Sequence, residues 1–311
     1  MPSKIKNILN LLRVRQYYKN GLIFVGAFFS GKLIESSIWY LLIIGFIILC
    51  CASSFNYIIN DIRDIEKDKK HTEKLEKRPL ASGDLSVFFA LIILVILLGI
   101  GGGLIIVFIL PNWNFVIMII LILITGQLYN HIFKKIAFID ILSLSLIYLW
   151  RALAGCFLIE VFISPWLFLA IFEIALFLVI AKRKGDLMFI GEEEASKHKK
   201  SYDMYSQKLL DQFHVIIAGA LFITYSLYLI IHFNLFSAES VNIHEYITIL
   251  TIPLSLYIIM RYMYLTSAKP EIARSTEKAL LDPGIVIAGI ILLGILTYSY
   301  YIRAFLRLLT L

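Results

Sequence analysis

Long apolar runs separated by short polar stretches set the pattern of this chain. Runs fall at roughly 20–36, 38–61, 86–109, 114–132, 138–159, 165–183, 209–234, 245–266 and 283–305. Each is near or above the length that crosses about 30 Å of hydrocarbon as α-helix. Within the runs apolar residues are continuous rather than alternating, which disfavours an outer-membrane barrel. The pattern predicts an all-α, polytopic membrane protein with nine transmembrane helices in one domain over residues 1–311. Composition agrees: 60% of residues are hydrophobic and only 16% charged, against about 25% charged in soluble domains.

The first 19 residues break the apolar pattern. Ile5, Ile8, Leu9 and Leu12 recur at helical spacing among Lys4, Lys6, Arg13 and Arg15. That spacing predicts a basic helix lying on the membrane surface. There is no compact apolar core followed by a small-residue cleavage site, so a cleavable signal is not expected. Cys50, Cys51 and Cys156 lie in apolar runs, and no disulfide framework is expected. The six histidines contain no His-x-x-x-His pair, so no zinc site is indicated.

Charge then orients the runs. With the N-terminus inside, the inner segments carry five, seven, two, seven and four Lys and Arg, 25 of the 29. Lys32 alone falls in the outer loops, Arg303 and Arg307 near the outer C-terminal end, and Arg151 within a span. This bias predicts a cytoplasmic N-terminus and an outer C-terminus. Two long segments, 63–84 and 184–208, become cytoplasmic loops rich in acids and bases, the places where a rigid scaffold carries function.

The second run ends "NDIRDIEKDKKHTEKLEKRPLASG". If its helix continues past Asn60, then Asp61, Asp64 and Asp68 stand at i, i+3 and i+7, within about 60° of one another. Three carboxylates on one face repel unless a cation joins them, and hard oxygen ligands of this kind suit Mg²⁺ with substrate phosphates. Ser53, Asn56 and Asn60 extend a polar stripe into the run, which belongs against a bundle interior or a water-filled cavity. The bland alternative pairs Asp64 and Asp68 with Arg63, Lys67 and Lys69 at the interface.

"NDIRDIEKD" resembles the Asn-Asp-x-x-Asp-x-x-x-Asp motif of the UbiA superfamily of intramembrane prenyltransferases, and "RPLASG" (78–83) resembles its following Arg-Pro segment. The resemblance implies nine helices around a central cavity opening to the cytoplasm. It also implies a bacterial or archaeal cell membrane, and Mg²⁺ held by Asp61, Asp64 and Asp68, with Asn60 beside the diphosphate.

The sixth run ends "FLVIAKRKGDL", where typical aromatic prenyltransferases of the family carry a second pair of acids. Here Lys182, Arg183 and Lys184 accompany a single Asp186, a poor metal site and a better phosphate clamp. The alternative is a stop-transfer cluster. With "LRVRQYYKNGLIFVGAFFSG", "WRALAGCFLIEVFISPWLFL" and "YSQKLLDQ", this segment looks like the decaprenyl-phosphate phosphoribosyltransferase branch. That branch implies phosphoribosyl pyrophosphate as donor and a polyprenyl phosphate as acceptor. A homo-oligomer is compatible with the chain, and no nucleic-acid partner is expected.

Besides the diphosphate on Mg²⁺, two further phosphates, on the ribose and on the lipid, would then need cations. Candidates are Lys19, Lys77, Arg78, Lys134, Arg151, Lys182 and Arg183. Arg151 stands out, because a mid-span charge costs about 2.5–3.5 kcal/mol or more; its structural alternative is pairing with Glu173. Tyr129 and Tyr205 are candidate phosphate donors, although interfacial belting explains most membrane tyrosines. Gly101, Gly102 and Gly103 lack a phosphate-loop context, and close helix packing is their expected role. Two rival functions remain: an aromatic prenyltransferase acting on a quinone precursor, and a transporter or channel using intramembrane charge.

Overall fold

A computed structural model describes residues 4–69, 75, 77–191, 200–236, 242–274 and 276–309. All its regular elements, among the described residues, are helical. Among the described residues, eight helices are long and apolar enough to cross a membrane: Ser36–Arg63, Val87–Ile109, Trp113–His131, Ile139–Leu158, Pro165–Ile190, Gln207–His232, Ile243–Ala268 and Pro283–Ile302. The protein is an all-α, multi-pass membrane protein. Large apolar side chains such as Val95, Ile106 and Val107 are strongly exposed, which suits contact with lipid rather than water.

The ninth expected span, 20–36, has a different build. A 3₁₀ segment, Val14–Phe24, leads into a five-residue α-helix, Val25–Phe29, and Gly31 turns the chain at φ 74°. Close packing accounts for it. The Ile23 carbonyl occupies the place that a Cβ on Gly155 would need, and Gly26 is pressed in the same way against Cys156.

The chain divides into two compact units. The first comprises residues 1–131 and 150–162. Its centre is the Ser36–Arg63 helix, whose Leu42, Ile48, Leu49, Ser54 and Ile58 are buried. Gly45 on this helix admits Leu158, Ile23 and Phe115 against its backbone. At the other end, Leu11, Ile58, Leu80, Ala90 and Leu94 form one apolar cluster. The basic N-terminal helix Lys4–Leu12 is therefore anchored by Leu11 within protein, while Ile5 and Leu9 remain exposed. Of the three consecutive glycines, Gly101 packs against Cys51, and Gly102 and Gly103 face open space. Close packing is thus the role of Gly101 alone.

The second unit comprises residues 132–149 and 163–311. One apolar cluster joins Ile141, Leu176, Ile180, Leu187, Tyr202, Tyr205 and Leu210. Another joins Phe177, Ala181, Leu221, Ile259, Tyr262 and Ile285. The Pro165–Ile190 helix runs on through Lys182, Arg183 and Lys184 to Gly191. The basic triplet is therefore helical, and residues 184–190, expected as the start of a long loop, belong to the helix. The reason is continuity of burial: Ala181, Arg183, Lys184, Gly185 and Leu187 are all inside.

Candidate active site

The acidic motif sits where the central helix of the first unit ends. The helix does not continue unbroken past Asn60: it stops at Arg63, Asp64 adopts φ −92° and ψ 10°, and a separate turn spans Ile65–Asp68. The backbone still steps forward in helical fashion, Asp64 N donating to Asn60 O at 3.0 Å and Asp68 N to Asp64 O at 2.8 Å. Asp61 and Asp68 consequently keep a common side. They are 3% and 1% exposed, whereas Asn60 and Asp64 are half-buried.

Two buried carboxylates require cations, since an unpaired charge away from water costs several kcal/mol. Arg78 supplies one. Its Nη1 lies 2.6 Å from Asp61 Oδ1 and 2.6 Å from Asp68 Oδ2. The turn Pro79–Ser82 that follows Arg78 is pinned by Leu80 in the apolar cluster, which holds the guanidinium in place. Arg13 supplies a second, Nη2 donating to Asp61 Oδ1 at 2.5 Å while its guanidinium lies 4.5 Å above the Tyr57 ring. The sequence reading missed Arg13 and Tyr57. The available signal was helical spacing, since Tyr57 precedes Asp61 by one turn.

Asp61 and Asp68 offer oxygens of a kind that a divalent cation takes. The two carboxylate oxygens around Arg78 Nη1 are no farther apart than twice 2.6 Å, and they are hard oxygens of the kind Mg²⁺ prefers at about 2.1 Å. Among the described residues no three His, Cys, Asp or Glu side chains form a ready-made metal cage. Asp64 stands at the helix break, and a guanidinium nitrogen occupies the point on which Asp61 and Asp68 converge.

In the polar stripe above the acids, Ser53 and Asn56 are buried and bonded. Arg151 Nε donates to Asn20 Oδ1 at 2.9 Å, and Ser53 Oγ donates to the same oxygen at 3.2 Å. Asn56 binds Ile122 O at 3.2 Å and accepts from Gln127 Nε2 at 2.6 Å. Arg151 is thus buried among polar side chains. Glu173, its expected alternative partner, bonds Thr224 at 3.2 Å. Lys19 is half-buried, 3.3 Å from Gln16 Oε1. Tyr129 is half-buried in the Trp113–His131 helix, and Lys77 is exposed.

A second polar group is built inside the second unit. Asp140, fully buried, accepts from Arg183 Nε at 3.0 Å and from Tyr205 Oη at 2.7 Å. Tyr205 in turn accepts from Phe138 N at 2.6 Å. Burial and the Asp140 carboxylate hold the Tyr205 phenol above its ordinary range, and burial raises Tyr202 likewise. Asp186 is bonded by Tyr202 Oη at 2.8 Å and Arg274 Nε at 3.3 Å, with Arg183 Nη1 at 3.7 Å. Lys184 lies 2.6 Å from Asp211 and 2.8 Å from Ser267 Oγ. Lys182 is exposed and Lys134 half-buried. The structure therefore brings Arg183, Asp186 and Tyr205 together through Asp140 and Tyr202, two residues the sequence reading did not select for the site. Lone buried acids and tyrosines carry no spacing signal.

Both the fold and the sequence have known counterparts. A structure of a UbiA homolog from Archaeoglobus fulgidus bound to DMAPP and Mg²⁺ matches with TM-score 0.68 at 18% identity, over 96% of this chain and 99% of that one. A structure of digeranylgeranylglyceryl phosphate synthase matches with TM-score 0.64 at 21% identity, over 96% and 98% of the two chains. In sequence, the decaprenyl-phosphate phosphoribosyltransferase of Mycolicibacterium smegmatis is 27% identical over 232 residues, 72% of this chain and 70% of that protein. The protein of the same name from Corynebacterium glutamicum is 28% identical over 224 residues, 71% and 66% of the two. The UbiA prenyltransferase family pattern matches residues 21–278, most of the 311-residue chain, and the protein belongs to that family.

Proposed function

We propose that this UbiA-family membrane transferase moves 5-phosphoribose from phosphoribosyl pyrophosphate to a polyprenyl phosphate, releasing pyrophosphate at the cytoplasmic face. The observation that carries the metal-diphosphate part is the convergence of buried Asp61 and Asp68 on one cationic nitrogen. The choice of donor is supported by the names of the relatives. It is also supported by Asp186, whose carboxylate is bonded by Tyr202 and Arg274 instead of joining a second acid. An aromatic prenyltransferase would want a second metal there.

In this reading the acceptor phosphate is already an anionic nucleophile, so no strong base is needed. Its oxygen forms the bond to the anomeric carbon as the carbon–pyrophosphate bond breaks. Asp61, Asp64 and Asp68 would hold Mg²⁺, which supplies positive charge for the departing pyrophosphate. Arg78, which bridges Asp61 and Asp68, and Asn60 would supply donors that stabilise charge as it develops. Lys19 and Arg151 are the first unit's cations for the remaining phosphates. Of the basic triplet, Lys182 is the exposed cation, since Arg183 is bound to Asp140.

The test is turnover of labelled phosphoribosyl pyrophosphate by purified protein with Mg²⁺ and a polyprenyl phosphate. A labelled lipid that disappears with EDTA supports the reading. Prenylation of 4-hydroxybenzoate from a prenyl diphosphate, with no labelled lipid, overturns it in favour of the aromatic branch.

A further inference from the structure

Asp61 is held from two directions by arginines of distant origin. Arg13 reaches it from the junction that follows the N-terminal helix, where the backbone takes φ 53° and ψ 44°. A left-handed conformation is uncommon for arginine and is kept only where surroundings over-determine it. Here Leu11 is buried two residues before, and the Tyr57 face supports the guanidinium. Arg78 approaches from the turn beginning at Pro79 and spans Asp61 and Asp68 together. Two fixed guanidiniums therefore neutralise the two buried carboxylates of the metal motif.

We infer that Arg13 and Arg78 are built-in counter-ions that make the acid cluster refuse a bare divalent cation and admit it together with a diphosphate. A divalent ion arriving alone meets two resident positive charges and gains carboxylates already paired. A diphosphate changes the balance, because guanidiniums bind phosphate oxygens bidentately as well as they bind carboxylates. The arginines then have a new anion to pair with, and Asp61 and Asp68 are released toward the metal. Arg13 is on this account a positioning residue that makes metal and diphosphate binding mutually dependent.

The inference rests on the proposed metal-diphosphate reading of the cluster but not on the identity of the donor. It is tested by electron paramagnetic resonance titration of Mn²⁺ into purified full-length protein, with and without inorganic pyrophosphate. Wild-type protein should bind Mn²⁺ at least about tenfold more tightly with pyrophosphate present. Arg13→Gln should bind Mn²⁺ alone about tenfold more tightly than wild type does, and Arg13→Lys, which keeps the charge, should not. A merely structural arginine would weaken metal binding when removed, the opposite sign. Equal wild-type affinity with and without pyrophosphate, or no Mn²⁺ binding in either case, overturns the inference without needing any variant. So does an Arg13→Gln protein that binds Mn²⁺ alone no better than wild type. Coupled Mn²⁺ and pyrophosphate binding in a protein that transfers no phosphoribose would overturn the proposed donor and leave the counter-ions standing.

Discussion

Arg183 Nε lies 3.0 Å from Asp140 Oδ2, an ion pair between two buried side chains 43 apart in sequence. Asp140 also receives Tyr205, and Ser201 Oγ at 3.4 Å. One carboxylate thus ties the start of the Ile139–Leu158 helix to the end of the Pro165–Ile190 helix and to the 3₁₀ turn Lys200–Met204. The segment that looked from sequence like a phosphate clamp is partly a structural knot.

Breaking that pair from one side should be costly. Asp140→Ala leaves a buried guanidinium without its carboxylate, and the expected loss is about 3–5 kcal/mol. The double variant Asp140→Leu with Arg183→Leu removes both charges and should recover part of it. Thermal unfolding in detergent reads both. A single variant as stable as wild type would show the pair to be dispensable.

Tyr205 gives the same knot a pH dependence. Its phenol is held above the usual value, about 10 for tyrosine, by burial and by the adjacent Asp140. Stability from the protonated phenol is therefore complete below about pH 10 and declines as pH rises further toward the folded-state value. Tyr205→Phe should lose about 1.5–3 kcal/mol at neutral pH, the worth of a hydrogen bond to a charged group. It should also show a shallower alkaline decline. Unfolding midpoints collected from pH 7 to 11 check both signs.

At the acidic motif, Asp61→Asn and Asp64→Asn should each abolish turnover, by about a hundredfold or more, in protein that still folds. Size-exclusion profiles and unfolding temperature establish folding, and product formation establishes the loss. Full activity in both variants would sink the metal assignment.

Arg151→Leu should raise KM for a phosphorylated substrate, and Arg151→Lys should not restore it, because a lysine lacks the fork that engages Asn20 and its surroundings. Substrate binding by the two purified variants decides. Unchanged affinity in the leucine variant would make Arg151 purely structural.

Gly155 offers a packing test away from charge. A Cβ there would collide with the Ile23 carbonyl, which is backbone and cannot rotate aside. Gly155→Ala should cost about 1–3 kcal/mol, read by unfolding temperature, while the open Gly102 should tolerate alanine.

The long apolar runs by themselves determined that the chain crosses a membrane as helices, because in lipid every backbone amide must be bonded within its own segment. The shared side of Asp61 and Asp68 was also legible, since their spacing is local and follows from helical geometry. What spacing could not reach was every partnership between distant segments. Arg13 with Asp61, Arg78 with Asp68, and Arg183 with Asp140 are separated by 48, 10 and 43 positions, and no local period marks them. The break at Asp64 and the 3₁₀ course of Val14–Phe24 were hidden for the same reason. They follow from which side chains the tertiary packing presses against those backbones, and periodicity along one strand of sequence carries no record of that.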